Sequence, residues 1–137
     1  MPNFEVIYQG ELRCNAEHLQ SGSVILTDAP KDNHGKGESF SPTDLLATAL
    51  GTCMITVMGI EANGLNLDIS GSKLSITKTM GTLPRRVVSV DVILDIPDRN
   101  FTESVKNKLI NIGLNCPVAK SLHPDVQQNI QFNFIKM

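Results

Sequence analysis

Ser41-Pro42-Thr43-Asp44, continuing into Leu45-Leu46-Ala47-Thr48-Ala49-Leu50-Gly51-Thr52-Cys53-Met54-Ile55-Thr56-Val57-Met58-Gly59-Ile60, is the stretch whose reading decides the fold. Ser41 can cap a helix, Pro42 suits the first helical position, and Asp44 can return the bond as a capping box. From Leu45 to Ile60 no side chain is charged, and Leu45, Leu46, Ala49, Leu50, Cys53, Met54, Val57 and Met58 cover most of the helical circumference. A helix of this kind must be wrapped by protein. A membrane span is the rival reading, but the run is shorter than the ~20 apolar residues a span needs. It also holds Thr48, Gly51, Thr52 and Thr56 and meets Glu61.

Upstream, Phe4, Val6 and Tyr8 alternate with polar neighbours, and Leu12, Cys14, Ala16 and His18 do so after Gly10, which reads as two antiparallel strands. Ser21-Gly22 turns the chain into a third strand around Val24 to Leu26. Between Asp28 and Ser41, the residues Pro30, Asp32, Asn33, Gly35 and Gly37 break any period and give a long loop. Downstream, Asn63-Gly64 reads as the helix stop. Strands follow over Leu67 to Lys78 and Val87 to Ile96, with Val88, Val90, Val92, Leu94 and Ile96 on one face. Asn100 to Glu103 resembles a capping box, and Val105, Leu109 and Ile112 recur at helical spacing. Asn115-Cys116-Pro117 opens a short third helix that closes near His123-Pro124, and Ile130, Phe132 and Phe134 alternate in a last strand. Strand and helix runs are segregated, so the expected class is α+β rather than a doubly wound parallel sheet.

At 137 residues the chain fits one domain, residues 1–137, with no internal repeat or linker. Hydrophobic residues at 41% and charged residues at 19% argue for a globular protein. A formal charge of -2 and the lack of a polybasic run give no handle for nucleic acid or an anionic membrane. The amino end has neither a basic leader nor an apolar core segment, so the expected location is cytoplasmic. Three cysteines without a Cys-x-x-Cys pair do not make a secreted disulfide framework.

Read one by one, the reactive residues leave alternatives open. Cys53 lies mid-helix, where an unpaired Cys is commonly core filler. Cys116, in the first turn of a helix, meets exposed N–H groups that would lower its pKa, although such positions are also merely structural. Cys14, in register with Leu12 and Ala16, reads as core. His18, His34 and His123 are scattered and no Cys or His pair has zinc spacing, so no metal is expected. Gly35-Lys36-Gly37 could offer amides to an anion, but flexibility is the simpler explanation for its glycines. Arg85-Arg86 reads as a solvated turn.

Ser41 to Cys53 and Asn115 to Pro124 together resemble the two cysteine motifs of the OsmC/Ohr family, the osmotically inducible and organic hydroperoxide resistance proteins. The similarity continues through Tyr8 to Arg13, Thr27 to Pro30, Gly35 to Glu38 and Pro84 to Arg86, in order along nearly the whole chain. The resemblance implies an intertwined homodimer, with antiparallel sheets around two long central Cys-bearing helices and amino-terminal strands completing the partner's sheet. It implies that Cys53 and Cys116 share a pocket, Cys53 as peroxidatic nucleophile and Cys116 as the thiol that closes a disulfide on its sulfenic acid.

A thiol with an ordinary pKa of about 8.5 is only ~3% ionised at pH 7, so the chemistry needs a nearby cation. Arg13 stands at the matching place. It is either that cation or an exposed strand residue beside Glu11, Asn15 and Glu17. The family's helix-start Asn-Pro-Glu reads Ser41-Pro42-Thr43 here, so the usual Glu position is Thr43. Asp44, one residue on and engaged in capping, and Glu38 in the preceding loop, able to reach the site and orient the Arg, are the two candidate substitutes. The implied activity is reduction of organic hydroperoxides, hydrogen peroxide less well, in a cleft walled by Leu46, Leu50, Met54 and Val57. A dithiol, lipoyl-type by resemblance, restores the pair, and no metal or organic cofactor is required. The alternative is a non-catalytic stress protein or apolar-ligand-binding dimer that kept the fold and both thiols.

Overall fold

The computed structural model describes residues 1–136, and the chain falls into two compact units, Met1–Leu46 and Ala47–Met137. The first is a meander of three antiparallel strands, β1 (Phe4–Gly10), β2 (Arg13–His18) and β3 (Val24–Asp28), in the order β1-β2-β3. Glu11 and Leu12 make the first hairpin turn with φ of 53° and 65°, the left-handed pair that a two-residue connection between twisted strands requires. The Tyr8 hydroxyl accepts the Leu12 N–H at 3.2 Å and holds that turn. After β3 a single 3-10 turn spans Lys31–Asn33. Gly35 owes its place to close approach rather than flexibility, because any Cβ there would collide with the Ala29 carbonyl.

Helix α1 covers Pro42–Gly64. Its capping box forms as expected: the Ser41 N–H donates to Asp44 Oδ2 at 2.9 Å and the Asp44 N–H to Ser41 Oγ at 3.1 Å. The left-handed residue that ends the turn is Asn66, with φ of 57°, and not Gly64, which is still helical. By length and composition α1 could cross a membrane, yet Leu50, Met54 and Met58 are buried to within 1% in the core of the second unit. Burial is confined to one stripe. Leu46, Thr52, Thr56 and Ile60 are exposed, so a single chain does not wrap this helix as its composition suggests it should be wrapped.

The second unit carries a sheet ordered β4 (Lys73–Gly81), β5 (Arg86–Asp98), β6 (Gln127–Lys136), with α2 (Glu103–Leu114) and α3 (Pro117–Ser121) between its last two strands. β4 and β5 are antiparallel, but β5 and β6 are parallel, which corrects the expectation of purely antiparallel sheets. The two helices form a crossover long enough to bring the chain back in the same direction. β4 also begins later than the alternation from Leu67 suggests. The Leu67 N–H still bonds Ala62 O at 2.8 Å, and Gly71 at φ of 89° turns the chain before pairing starts. On β5 a bulge skips Val88, so Val87 and not Val88 joins Val90, Val92, Leu94 and Ile96 on the buried face.

Helix α2 is capped by Thr102, whose Oγ1 accepts the Val105 N–H at 3.2 Å. Asn100, read as the opening of a capping box, sits instead at φ of 64°. The buried Asp98 accepts the Phe101 N–H at 2.9 Å and pairs with Lys106 Nζ at 2.9 Å, which fixes the start of α2 to the end of β5. Gly51 and Gly113 allow close packing: a Cβ at Gly51 would meet Ile76 Cδ1 at 2.5 Å, and one at Gly113 would meet Met58 Sδ at 2.9 Å. Leu109 is the fully buried residue of α2. Leu109→Ala should destabilise the protein by about 2–5 kcal/mol. Urea denaturation checks this, with an earlier midpoint at unchanged m-value expected.

Candidate functional site

Pairing of β2 with β3 sets Arg13 directly opposite Asp28, an opposite-charge cross-strand pair. The guanidinium grips this carboxylate with two bonds, Nε to Oδ1 at 2.7 Å and Nη2 to Oδ2 at 2.9 Å. Asp28 is only 2% exposed, and its Oδ2 also accepts the Glu38 N–H at 3.0 Å. The same Nη2 donates to Glu38 Oε1 at 2.7 Å, with the Glu38 side chain itself in solvent. The Asp28 bond first, and the Glu38 bond next, push the Arg13 pKa still higher. The guanidinium in turn holds the Asp28 carboxyl below its usual range, against the opposing effect of burial. Alongside, Lys36 pairs with Glu11 at 2.7 Å on the surface.

This geometry shows Arg13 ion-paired to Asp28 and Glu38. It is a fixed, half-buried cation rather than a free strand residue, and Glu38 does contact it. Asp28 was missed by sequence reasoning, although it lies within Thr27 to Pro30. The available signal was an acidic residue ending the strand that pairs with the Arg13 strand. Asp44 is engaged with Ser41, and Thr43 Oγ1 lies 3.2 Å from Ser41 Oγ, so neither joins Arg13 in the bonds just described.

In the second unit the structure brings Cys53 and Cys116 together. Cys53 is half-buried on α1, beside the buried stripe, whereas Cys116 is 1% exposed and is the N-cap of α3. The Cys116 Sγ accepts the Ala119 N–H at 3.4 Å, and its own N–H donates to Gly113 O at 3.3 Å. Cys53 packs against the same core cluster that contains Cys116. Burial, joined by the neighbouring Cys53, raises the Cys116 pKa. The expectation that a helix start would lower it is therefore overturned: the Ala119 and Val118 amides pull downward, but loss of water outweighs them. All three thiols are free.

Other expectations shift with burial. Leu50 and Met54 are core residues and cannot wall a cleft, which leaves Leu46, exposed, and Val57, half-buried, on the accessible side of α1. Cys14 is half-buried rather than core, paired across the sheet with Tyr8 and Thr27. His123 accepts the Asp125 N–H at Nδ1 and is exposed, a simple polar helix end. Among the described residues no three His, Cys, Asp or Glu side chains converge in a way that could hold a metal ion.

The Asp28 pairing has a pH signature. Because its folded pKa lies below the unfolded value of about 3.9, its stabilisation is complete above that value and is lost as pH falls through the folded pKa. Asp28→Asn should therefore be less stable than the wild type at neutral pH. The difference should shrink toward zero in strong acid, as read by urea unfolding at a series of pH values.

Residues 35–131 match the sequence profile of the family described as OsmC-like protein. Among solved structures, the chain is similar to an osmotic stress induced and detoxification response protein of Psychrobacter arcticus, at 47% identity and TM-score 0.91 over 96% of both chains. It shares its fold with an OsmC-like protein of Mycoplasma pneumoniae, at 16% identity and TM-score 0.80 over 98% of this chain and 97% of that one. The same holds for an organic hydroperoxide resistance protein of Elizabethkingia anophelis, at 12% identity and TM-score 0.74 over 98% of each. No curated protein shows significant similarity.

Proposed function

Since this chain belongs to the OsmC/Ohr family, its chemistry is to be sought in its two neighbouring thiols, and we propose that it is a thiol-dependent peroxidase reducing organic hydroperoxides and, less efficiently, hydrogen peroxide. The observation that carries this reading is the pairing of a half-exposed thiol on α1 with a buried one at the start of α3. The Cys53 thiolate attacks the terminal peroxide oxygen, the O–O bond breaks, and the alcohol leaves with a proton from solvent. Cys53 is left as sulfenic acid. Cys116 then attacks that sulfur, the S–O bond breaks, water departs, and a Cys53–Cys116 disulfide forms. A dithiol of lipoyl type reduces it through a mixed disulfide.

In this reading Arg13 supplies the positive charge that favours thiolate and polarises the peroxide, with Glu38 orienting it in place of the carboxylate absent at Thr43. Asp28 serves as its fixed anchor. The protein acts as a cytoplasmic homodimer. Uncovered apolar side chains support the dimer: Phe4, Val6, Ile7 and Tyr8 on β1, Val24, Ile25 and Leu26 on β3, and Ile60 on α1 are all more than 40% exposed in the single chain. No metal or organic cofactor enters the cycle.

One equivalent of cumene hydroperoxide should remove two thiols from the reduced wild type rapidly, while Cys116→Ser accumulates a trappable sulfenic acid and Cys53→Ser loses none. Thiols unchanged over hours would reject the peroxidase and leave the alternative, a dimer that binds apolar ligands without turnover. Arg13→Gln should slow the first step by about 100-fold, the scale for removing one preorganised charge-stabilising donor. Stopped-flow oxidation of Cys53 measures it.

A further inference from the structure

We propose that Gln128 is a positioning residue for the resolving thiol: through Ala119 it fixes the first turn of α3, and with it the direction in which the Cys116 sulfur points. The inference rests on the peroxidase reading for the role of Cys116, and on hydrogen bonds within the second unit for the positioning itself.

Along β6 the side chains alternate, and Gln128 takes the inward position that Ile130, Phe132 and Phe134 fill farther on, where they pack against the core. A half-buried amide in such a row needs partners for its polar atoms. Its Nε2 donates to the Ala119 carbonyl at 3.1 Å. That carbonyl in turn needs a donor from outside the helix. A continuing helix would supply the N–H of residue 123, but α3 ends at Ser121 and Leu122 is already extended, with ψ of 147°. The N–H of the same Ala119 donates to Cys116 Sγ at 3.4 Å. One residue thus stands between the amide on β6 and the sulfur at the start of α3, bonded to both.

The other restraints on α3 are less directional. Val118 and Leu122 pack against the core, and the Ser121 hydroxyl donates to the Pro117 carbonyl at 2.8 Å inside the helix itself. Apolar packing sets how deep a helix lies, whereas a hydrogen bond also sets how it is turned. A helix of five residues has few bonds of its own to resist fraying. His123, Pro124 and Asp125, which lead on toward β6, are exposed and restrain it weakly. Disulfide closure tolerates little misalignment of its two side chains. With Gln128 holding the far side of Ala119, α3 stays in place while the Cys116 sulfur leaves its cap to make the bond.

The test uses a Cys14→Ser background and two variants: Gln128→Met, similar in shape and unable to donate, and Gln128→Lys, whose ammonium donates to the same carbonyl. Gln128→Glu, without a donor when ionised, replaces the methionine variant should that fail to fold. After one equivalent of cumene hydroperoxide, Cys53 sulfenic acid should form in Gln128→Met at the wild-type rate. Closure of the disulfide should slow about fivefold, the scale of one neutral hydrogen bond, and Gln128→Lys should recover most of that loss. Without peroxide, the two thiols are equilibrated with oxidised glutathione, each protein disulfide formed yielding two molecules of reduced glutathione. The same fivefold loss makes the Gln128→Met disulfide easier to reduce, with a potential about 20 mV less negative at about 30 mV per tenfold. Equal closure rates and potentials in wild type and Gln128→Met overturn the proposal. Equal losses in Gln128→Met and Gln128→Lys also overturn it, because they assign the effect to packing, and so does a wild type that forms no internal disulfide with glutathione. A protein inert to peroxide whose disulfide equilibrium still responds at Gln128 keeps the positioning and loses the peroxidase reading; peroxide turnover indifferent to Gln128 does the reverse.

Discussion

Burial of one stripe of α1 is the constraint from which the second unit follows. Leu50, Met54 and Met58 lie one helical turn apart and enter the same cluster as Val90, Val92, Leu94 and Ile96 of β5. Each fully buried side chain of this size contributes about 1.5–3 kcal/mol, so the stripe outweighs the weak amphipathicity of a helix with no charged face over sixteen positions of its length. Glycine at 51 and 113 lets the helix sit close to β4 and lets α2 sit close to Met58. The stripe also sets the exposure of Cys53. A residue next to Met54 is turned about 100° from it, to the margin of the buried face, where a thiol can be reached without leaving the helix.

Cys116 is placed by a different device. It follows the end of α2 and precedes Pro117, so its backbone is extended and its sulfur turns back to cap α3. Capping, rather than exposure at a helix start, is what the sulfur does here, and burial then governs its acidity. Two cysteines of the same chemistry acquire opposite characters, one accessible and one dry. A nucleophile and a resolving thiol need that division of labour, and it carries the proposed cycle.

In the first unit the corresponding anchor is the Arg13–Asp28 pair. A carboxylate as buried as Asp28 would be costly without a partner, and the bidentate guanidinium with the Glu38 amide satisfies it. The side chain of Glu38, by contrast, is open to solvent and makes a single bond. Arg13 thus has one buried partner and one solvent-exposed partner.

Much was legible in the residues themselves. The capping box at Ser41 and Asp44, the uncharged run to Ile60, the alternation of β5, the turn signal at Gly22 and the helix start at Pro117 are local, and local patterns determined the elements and the α+β class. The resemblance of the two cysteine motifs pointed to the family. Tertiary structure alone decided what depends on distant neighbours: that β6 runs parallel to β5, that a bulge turns Val87 inward, that Leu50 and Met54 belong to the core, and that Asp28 grips Arg13. It also reversed the expected acidity of Cys116, because desolvation is a property of everything packed around a group and no motif encodes it.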